Sequence, residues 1–300
     1  MKRILLVIAM MSLCAILNAQ TPTLPEQANS AFQQKDWPKA VELYQQIVAT
    51  DSTNGRMWYR LGASYYGQKK FNQAAEAYMH SVRIGHNPFV MYNMACSFAL
   101  MGEKEKAIHW LQSAAEGGFA QDGTILTDSD LASLHNDSRF DQIVAQIKVN
   151  AHPCAADSSH QQFQFWVGEW TVYNTDGTHV GDSKIQLLLD GCLILENWTG
   201  LSGSTGKSMN FYNPETGHWQ QTWVSARGNI IEYIGDYANN KMVYYATVQD
   251  NDGNPEQNRL TFFNLAPDSV RQFSQRSADG GKTWSTEYDL MYVRKPEMDK

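Results

Sequence analysis

Along residues 21–119 small and large apolar positions recur at the spacing of paired helices, and the whole pattern returns every 33 to 34 residues. Near residue 150 the period changes. From Gln162 onward apolar and polar residues alternate in short runs rich in Trp, Tyr, Ile and Val, broken by turn clusters such as Asp176-Gly177, Asn239-Asn240 and Pro267-Asp268. Two modules with different packing physics are predicted, one helical and one of strands.

In the helical module Ala40, Ala74 and Ala107 each follow a small residue, Ala28, Gly62 and Ala95, by 12 positions. Small residues at both places let two antiparallel helices approach closely. Larger apolar positions recur around them, with Leu24, Trp58 and Met91 in one register and Tyr44, Tyr78 and Leu111 in another. After Gly117-Gly118 the period breaks. Asp128, Asp130, Leu131, Leu134 and Phe140 then predict two more helices through about residue 149, which cover the last apolar face of the array and whose acids read as helix caps.

The second unit, with Trp58, Leu61, Gly62, Tyr65, Ala74 and Tyr78, resembles the tetratricopeptide repeat, and the first departs from it at Gln27. In that family the first helix of each unit lines a concave groove that receives a peptide. Carried over position by position, the resemblance implies a groove of Asn29, Phe32, Arg56, Tyr59, Tyr66, Phe89 and Tyr92, and a protein partner. The groove lacks a cluster of Lys and Arg for an acidic tail, so a largely neutral partner is expected. The alternative is a rigid spacer.

Strands are expected at 169–174, 183–189, 193–201, 207–212, 219–224, 230–237, 241–248, 259–264, 270–276 and 283–294. Ten short strands joined by hairpins favour an antiparallel barrel, whose closure removes exposed edges. Alternation groups Glu196 with Trp198, Trp219 with Gln221 and Trp223, Arg271 with Phe273 and Gln275, and Trp284 with Thr286, Tyr288 and Leu290. With those faces inward, Glu196, Trp198, Gln221, Trp223, Arg271, Phe273, Gln275 and Tyr288 form an aromatic wall with polar anchors for one small apolar or amphipathic ligand. The competing expectation is a barrel solidly filled by these aromatics.

Gly168-Glu169-Trp170, following Phe163-Gln164-Phe165-Trp166, is similar to the Gly-x-Trp signature at the first strand of lipocalins. With Asp190-Gly191-Cys192, Glu196-Asn197-Trp198 and Asn210-Phe211-Tyr212-Asn213-Pro214 it resembles a bacterial lipocalin-like, calycin-type domain family of unknown function, over about residues 160–295. That resemblance implies a fold and no reaction. The expected class is therefore multidomain, an N-terminal tetratricopeptide array and a C-terminal lipocalin-like barrel of about ten strands. Some calycins are isomerases or cyclases, and Glu196 or Glu232 would then be the acid or base. The nitrobindin branch holds haem through a histidine, but His160, His179 and His218 fall before or within turns and are expected to be exposed, so no cofactor is assigned.

The N-terminus refines this picture. Lys2 and Arg3 precede an apolar run over 4–17 and the small-residue site Leu17-Asn18-Ala19, which reads as a secretory signal of residues 1–19 and an exported, periplasmic or secreted protein. Residues 20–150 are assigned to the repeats with their cap, 151–161 to a linker, 162–295 to the barrel and 296–300 to a tail. No later apolar stretch is long enough to span a membrane. Without the signal, 22 Lys and Arg face 31 Asp and Glu, a formal charge of −9 that argues against a nucleic-acid partner.

Of the remaining cysteines, Cys96 sits at a small-residue helical position and reads as a buried thiol. Cys154 and Cys192 are the bridge candidates in an oxidising compartment, although three cysteines allow three single bridges. Two motifs tempt and fail. Ser202–Ser208 lacks the first glycine of a phosphate loop and precedes a strand, and Ser277 to Trp284 fits a single Asp-box, a stable turn. No catalytic residue and no metal ligand is assigned.

Overall fold

A computed structural model describes residues 22–296. The signal segment 1–19 and most of the tail lie outside the described residues. The chain divides between Asn150 and Ala151 into two compact units.

The first unit is three helical hairpins, α1 (Leu24–Gln33) with α2 (Trp37–Thr50), α3 (Gly55–Gly67) with α4 (Phe71–Gly85), and α5 (Pro88–Leu100) with α6 (Lys104–Glu116). The repeat is written in the backbone as well as the side chains. Each first helix ends on a left-handed residue, Lys35, Lys69 or Gly102, and the next amide closes the end on the first helix, Asp36 N to Ala31 O at 2.9 Å, Lys70 N to Tyr65 O at 3.0 Å and Glu103 N to Phe98 O at 2.9 Å. This is the Schellman geometry, which satisfies carbonyls that a helix end would otherwise orphan. Side-chain caps start α2, α3 and α5, as when Asn87 accepts from Phe89 N at 2.9 Å. The small residues Ala28, Ala40, Ala74, Ala95 and Ala107 are fully buried at the helix crossings.

A one-turn helix α7 (Asp122–Ile125), a 3₁₀ turn (Ser129–Leu134) and α8 (Ser138–Ala151) follow. Leu131, Leu134, Phe140, Ile143 and Ile147 join the same core as α5 and α6. The Asn150 amide donates to the Ala115 and Phe119 carbonyls at 2.7 and 2.9 Å, fixing the end of α8.

The stretch 151–161, expected as a linker, instead forms α9 (Pro153–Ala156) and α10 (Ser158–Gln161) within the second unit. Cys154 is bonded to Cys192, with their Cα atoms 5.0 Å apart, while Cys96 is buried and free. His160 is not exposed as expected. It is buried against the Tyr212 ring and bonded to Asp157 at 2.9 Å.

Ten strands then run β1 (Gly168–Asn174), β2 (His179–Leu188), β3 (Leu193–Gly200), β4 (Thr205–Asn213), β5 (His218–Ser225), β6 (Ile230–Ala238), β7 (Lys241–Gln249), β8 (Pro255–Ala266), β9 (Ser269–Ser277) and β10 (Ser285–Arg294). Each pairs antiparallel with its sequence neighbours, and β1 also pairs with β10, so the sheet is a closed barrel.

The Gly168-Glu169-Trp170 signature has a mechanical role. Gly168 sits at φ +145°, and a Cβ there would lie 2.0 Å from the Arg294 guanidinium. That guanidinium lies 4.2 Å over the Trp170 ring and donates to the Val167 carbonyl at 2.9 Å, while Trp170 Nε1 donates to the Trp166 carbonyl at 2.8 Å. First and last strands are thereby locked together.

Candidate functional site

The barrel interior divides lengthwise. At one end the 3₁₀ turn Gln164–Trp166 folds in from before β1. Phe163 stacks on Trp166 at 5.1 Å and meets Phe262 and Trp219 edge-on at 5.0 and 5.8 Å, while Trp166 lies 4.6 Å from Phe262. This end is solid. Toward the other end a cavity of about 280 Å³ remains, walled by Trp198, Trp223, Ile231, Tyr233, Tyr288 and Leu290, with Glu196, Gln221, Leu260, Gln272 and Tyr292 deeper and Glu287 at its edge. The two expectations, filling and cavity, are each met at one end.

The wall tryptophans lie over glycines on the next strand. A Cβ on Gly206 would fall 2.3 Å from the Trp223 ring, and one on Gly181 would fall 2.6 Å from that of Trp198. Gly206 faces Trp198 across β3 and β4 while Ser208 faces Trp223 across β4 and β5, so each indole reaches diagonally across the sheet to a place without a side chain. The rings line the wall instead of crossing the lumen.

Glu196 is 3% exposed. The Ser183 and Ser208 hydroxyls donate to its two oxygens at 3.0 and 2.8 Å, and the Tyr292 hydroxyl lies 3.5 Å away, donating at 2.8 Å to Gln272 Oε1. Burial pushes the Glu196 carboxyl up to about 7, against the three hydroxyls that favour its charged form. The polar floor continues from Ser208, which receives the Asn210 amide at 3.0 Å, to Asn210, whose oxygen receives the Gln221 amide at 2.6 Å. Ser208 ends the string that mimics a phosphate loop. It lies in β4, inside the barrel.

Of the eight expected ligand residues, Glu196, Trp198, Gln221, Trp223 and Tyr288 line the cavity. Arg271, Phe273 and Gln275 do not. Over 269–275 of β9 the buried residues are Val270, Gln272 and Ser274, so the phase is off by one. Arg271 pairs with Asp289 at 2.7 Å and lies over the Phe263 and Phe273 rings, and Gln275 accepts from Arg259, all on the outer face. The aromatic on this strand belongs to an outer cation–π stack. Glu287 escaped prediction because the β9–β10 register slips between Thr286 and Tyr288, and such a bulge turns two successive side chains toward one side. Its oxygens accept from Arg276 Nε at 2.7 Å, Ser274 at 2.8 Å and Asn258 at 3.0 Å. Glu232 is exposed on the outer face. Among the described residues no three His, Cys, Asp or Glu side chains gather as for a metal ion, and no helix is long and apolar enough to cross a membrane.

The seven groove residues fare unequally. Tyr92 is buried, stacked on Phe119 at 4.4 Å, and donates to Asp128 at 2.5 Å. Tyr66 donates to Asp130. Desolvation, with those acids beside them, drives both phenols far above their usual range. Asp128 also accepts from Asp130 N at 2.9 Å, so the acids expected only as helix caps hold this part of the groove shut. Asn29 accepts from Tyr44 at 2.9 Å, and Phe32 is wedged between Trp37, Tyr44 and the Arg60 guanidinium. Arg56, Tyr59 and Phe89 line a shallow depression of about 500 Å³ on the first unit, which the turn of Asp128 and Asp130 does not cover.

A family model for the tetratricopeptide repeat matches residues 26–53, the unit that departs at Gln27. The general transcriptional corepressor ssn6 of Schizosaccharomyces pombe is 36% identical over 66 residues, a stretch that covers 22% of this chain and 6% of that protein. Among solved structures, a chain of a CopN–Scc3 complex aligns at 18% identity over 41% of this chain and 64% of that one, with a TM-score of 0.31. The Yersinia enterocolitica type III secretion chaperone SycD, in complex with a peptide of the translocator YopD, aligns at 20% identity over 42% of this chain and 90% of that one, with a TM-score of 0.32.

Proposed function

We propose that the chain is an exported binding protein whose lipocalin-like barrel takes one small amphipathic organic ligand and whose repeats dock a protein partner. The observation that carries the barrel half is the 280 Å³ cavity, aromatic at its wall and floored by the buried, hydrogen-bonded Glu196. Apolar walls with a few fixed polar groups suit one oriented ligand. Export is supported by the apolar run over 4–17 and by the Cys154–Cys192 bond, which persists in oxidising compartments. Docking is supported by the repeat match and by the uncovered Arg56, Tyr59 and Phe89.

Native mass spectrometry of the protein purified from its own host is expected to show a retained small molecule that is lost on Trp223→Ala. Affinity capture is expected to return a partner that Phe89→Ala weakens. A ligand-free spectrum together with capture that returns no partner sinks the reading.

One observation favours a second reading, a calycin-type isomerase or cyclase. A carboxyl pushed to about 7 is poised for general acid–base work at neutral pH. A host metabolite extract whose mass or isomer profile changes with the wild type but not with Glu196→Gln would establish turnover, and unchanged profiles with both would reject it.

A further inference from the structure

The cavity wall narrows the class of ligand further than its size does. None of the described residues lining it is Lys, Arg or His, while two are carboxylates. Those two differ in how their charge is met. Glu287 already faces Arg276, whose Nε donates to it at 2.7 Å. Glu196 is met by neutral groups, the hydroxyls of Ser183 on β2, Ser208 on β4 and Tyr292 on β10, and no ion pair reaches it among the described residues. A buried carboxylate without a countercharge is unfavourable, and a cation brought to it removes the penalty. Its two oxygens are pinned by separate strands, so it cannot swing away to water.

The rest of the lining fits the same partner. Trp198, Trp223, Tyr233 and Tyr288 surround the space beside Glu196, and aromatic faces carry the negative quadrupole that attracts ammonium groups. The two indoles are held against the wall by Gly181 and Gly206, which keeps their positions fixed before any ligand arrives. An anionic ligand would meet two carboxylates and no cation. We propose that the barrel cavity is built for a small organic cation, an amine or quaternary ammonium on an apolar body, with its charge at Glu196 and against the rings of Trp198, Trp223, Tyr233 and Tyr288. This rests on the reading that the cavity holds a ligand, and adds the sign of that ligand's charge.

Three probes of one shape and different charge test it: 3-phenylpropylamine, 3-phenylpropanol and 3-phenylpropanoate, titrated calorimetrically into the full mature chain. The amine is expected to bind about tenfold or more tighter than the alcohol, and the carboxylate not measurably. Glu196→Gln, nearly isosteric, is expected to cut the amine's advantage over the alcohol severalfold, the four rings keeping the remainder. A pH series adds a readout that a merely structural Glu196 would not move. With Glu196 pushed up to about 7, amine affinity should climb by about tenfold per unit below that pH and level off above it, the amine staying protonated throughout. The alcohol should stay flat. The Tyr288 and Tyr292 hydroxyls, raised by burial, remain neutral over this range, and the other carboxyl of the lining, Glu287, faces Arg276 at the cavity edge.

An alcohol that binds the wild type as tightly as the amine, a carboxylate that binds best, or a flat pH profile for the amine overturns the cationic assignment and leaves the ligand-holding cavity standing. Failure of all three probes to bind overturns both. The wild-type series decides by itself, so a variant that folds poorly does not rescue the proposal.

Discussion

At one end of the barrel Phe163, Trp166, Trp219 and Phe262 meet ring to ring, while toward the other Trp198 and Trp223 lie along the wall on Gly181 and Gly206. Both ends are rich in the same residue types. What differs is that only the first receives a segment from outside the sheet, residues 162–167, to complete its packing, and only the second has glycines placed to take an indole flat. The ends also differ in polar satisfaction. At the solid end Trp166 Nε1 and the Tyr244 hydroxyl are buried with no partner among the described residues, whereas around the cavity Glu196, Ser208, Asn210 and Gln221 bond to one another in a chain. Close packing and open space are thus separated along one axis.

The sharpest way to break this separation is Trp166→Ala. Removing a buried tryptophan from the packed end should lower the barrel's unfolding free energy by about 3–5 kcal/mol in urea titrations, with probe binding at the other end little changed. Loss of binding in parallel would mean that the ends are one unit. Next in size is a pH effect confined to the cavity end. Glu196 is raised from 4.5 to about 7 in the folded chain, so its contribution is full below the unfolded value and disappears as pH rises through the folded one. The stability of the wild type relative to Glu196→Gln should fall by about 3 kcal/mol between pH 4.5 and 7. A flat difference would place a cation or water at the carboxylate.

Gly206→Val forces the Trp223 indole off the wall and should destabilise by about 1–3 kcal/mol, with weakened probe binding as its signature. Binding that survives would show that the ring's place is not set by the glycine. The smallest effect belongs to Tyr244→Phe. Deleting a hydroxyl with no partner should be neutral or stabilising by up to about 1 kcal/mol, and a clear loss of stability would reveal a bound partner there.

Repetition and alternation were legible because both follow from steric fit: the small residues at the helix crossings and the strands of the barrel stand where the periods put them. The inward phase was legible on β3 and β5, where the aromatics face the lumen. On β9 it was not, since the lumen side is Val270, Gln272 and Ser274 and the aromatic Phe273 serves an outer stack with Arg271. Polarity at a cavity floor inverts the usual cue. Glu287 was hidden by a bulge, which no alternation count detects. Ser208 and Ser183 could have been found, since β4 pairs Ser208 directly opposite Glu196 and a buried carboxylate needs donors. The groove was misjudged at Tyr66 and Tyr92 because Asp128 and Asp130 look like local caps, and one of them is a cap as well.

The short acidic turn at Asp128 and Asp130 is tethered to the helices it covers. A tether of this kind presents its acids at an effective concentration on the order of millimolar, higher than a free peptide reaches in most settings. Any partner that reads the phenols of Tyr66 and Tyr92 therefore enters a contest with the protein's own chain and wins only above a set affinity, whereas one that reads Arg56, Tyr59 and Phe89 meets no such rival among the described residues of the first unit. The covering turn divides a single groove into a guarded half and a free half.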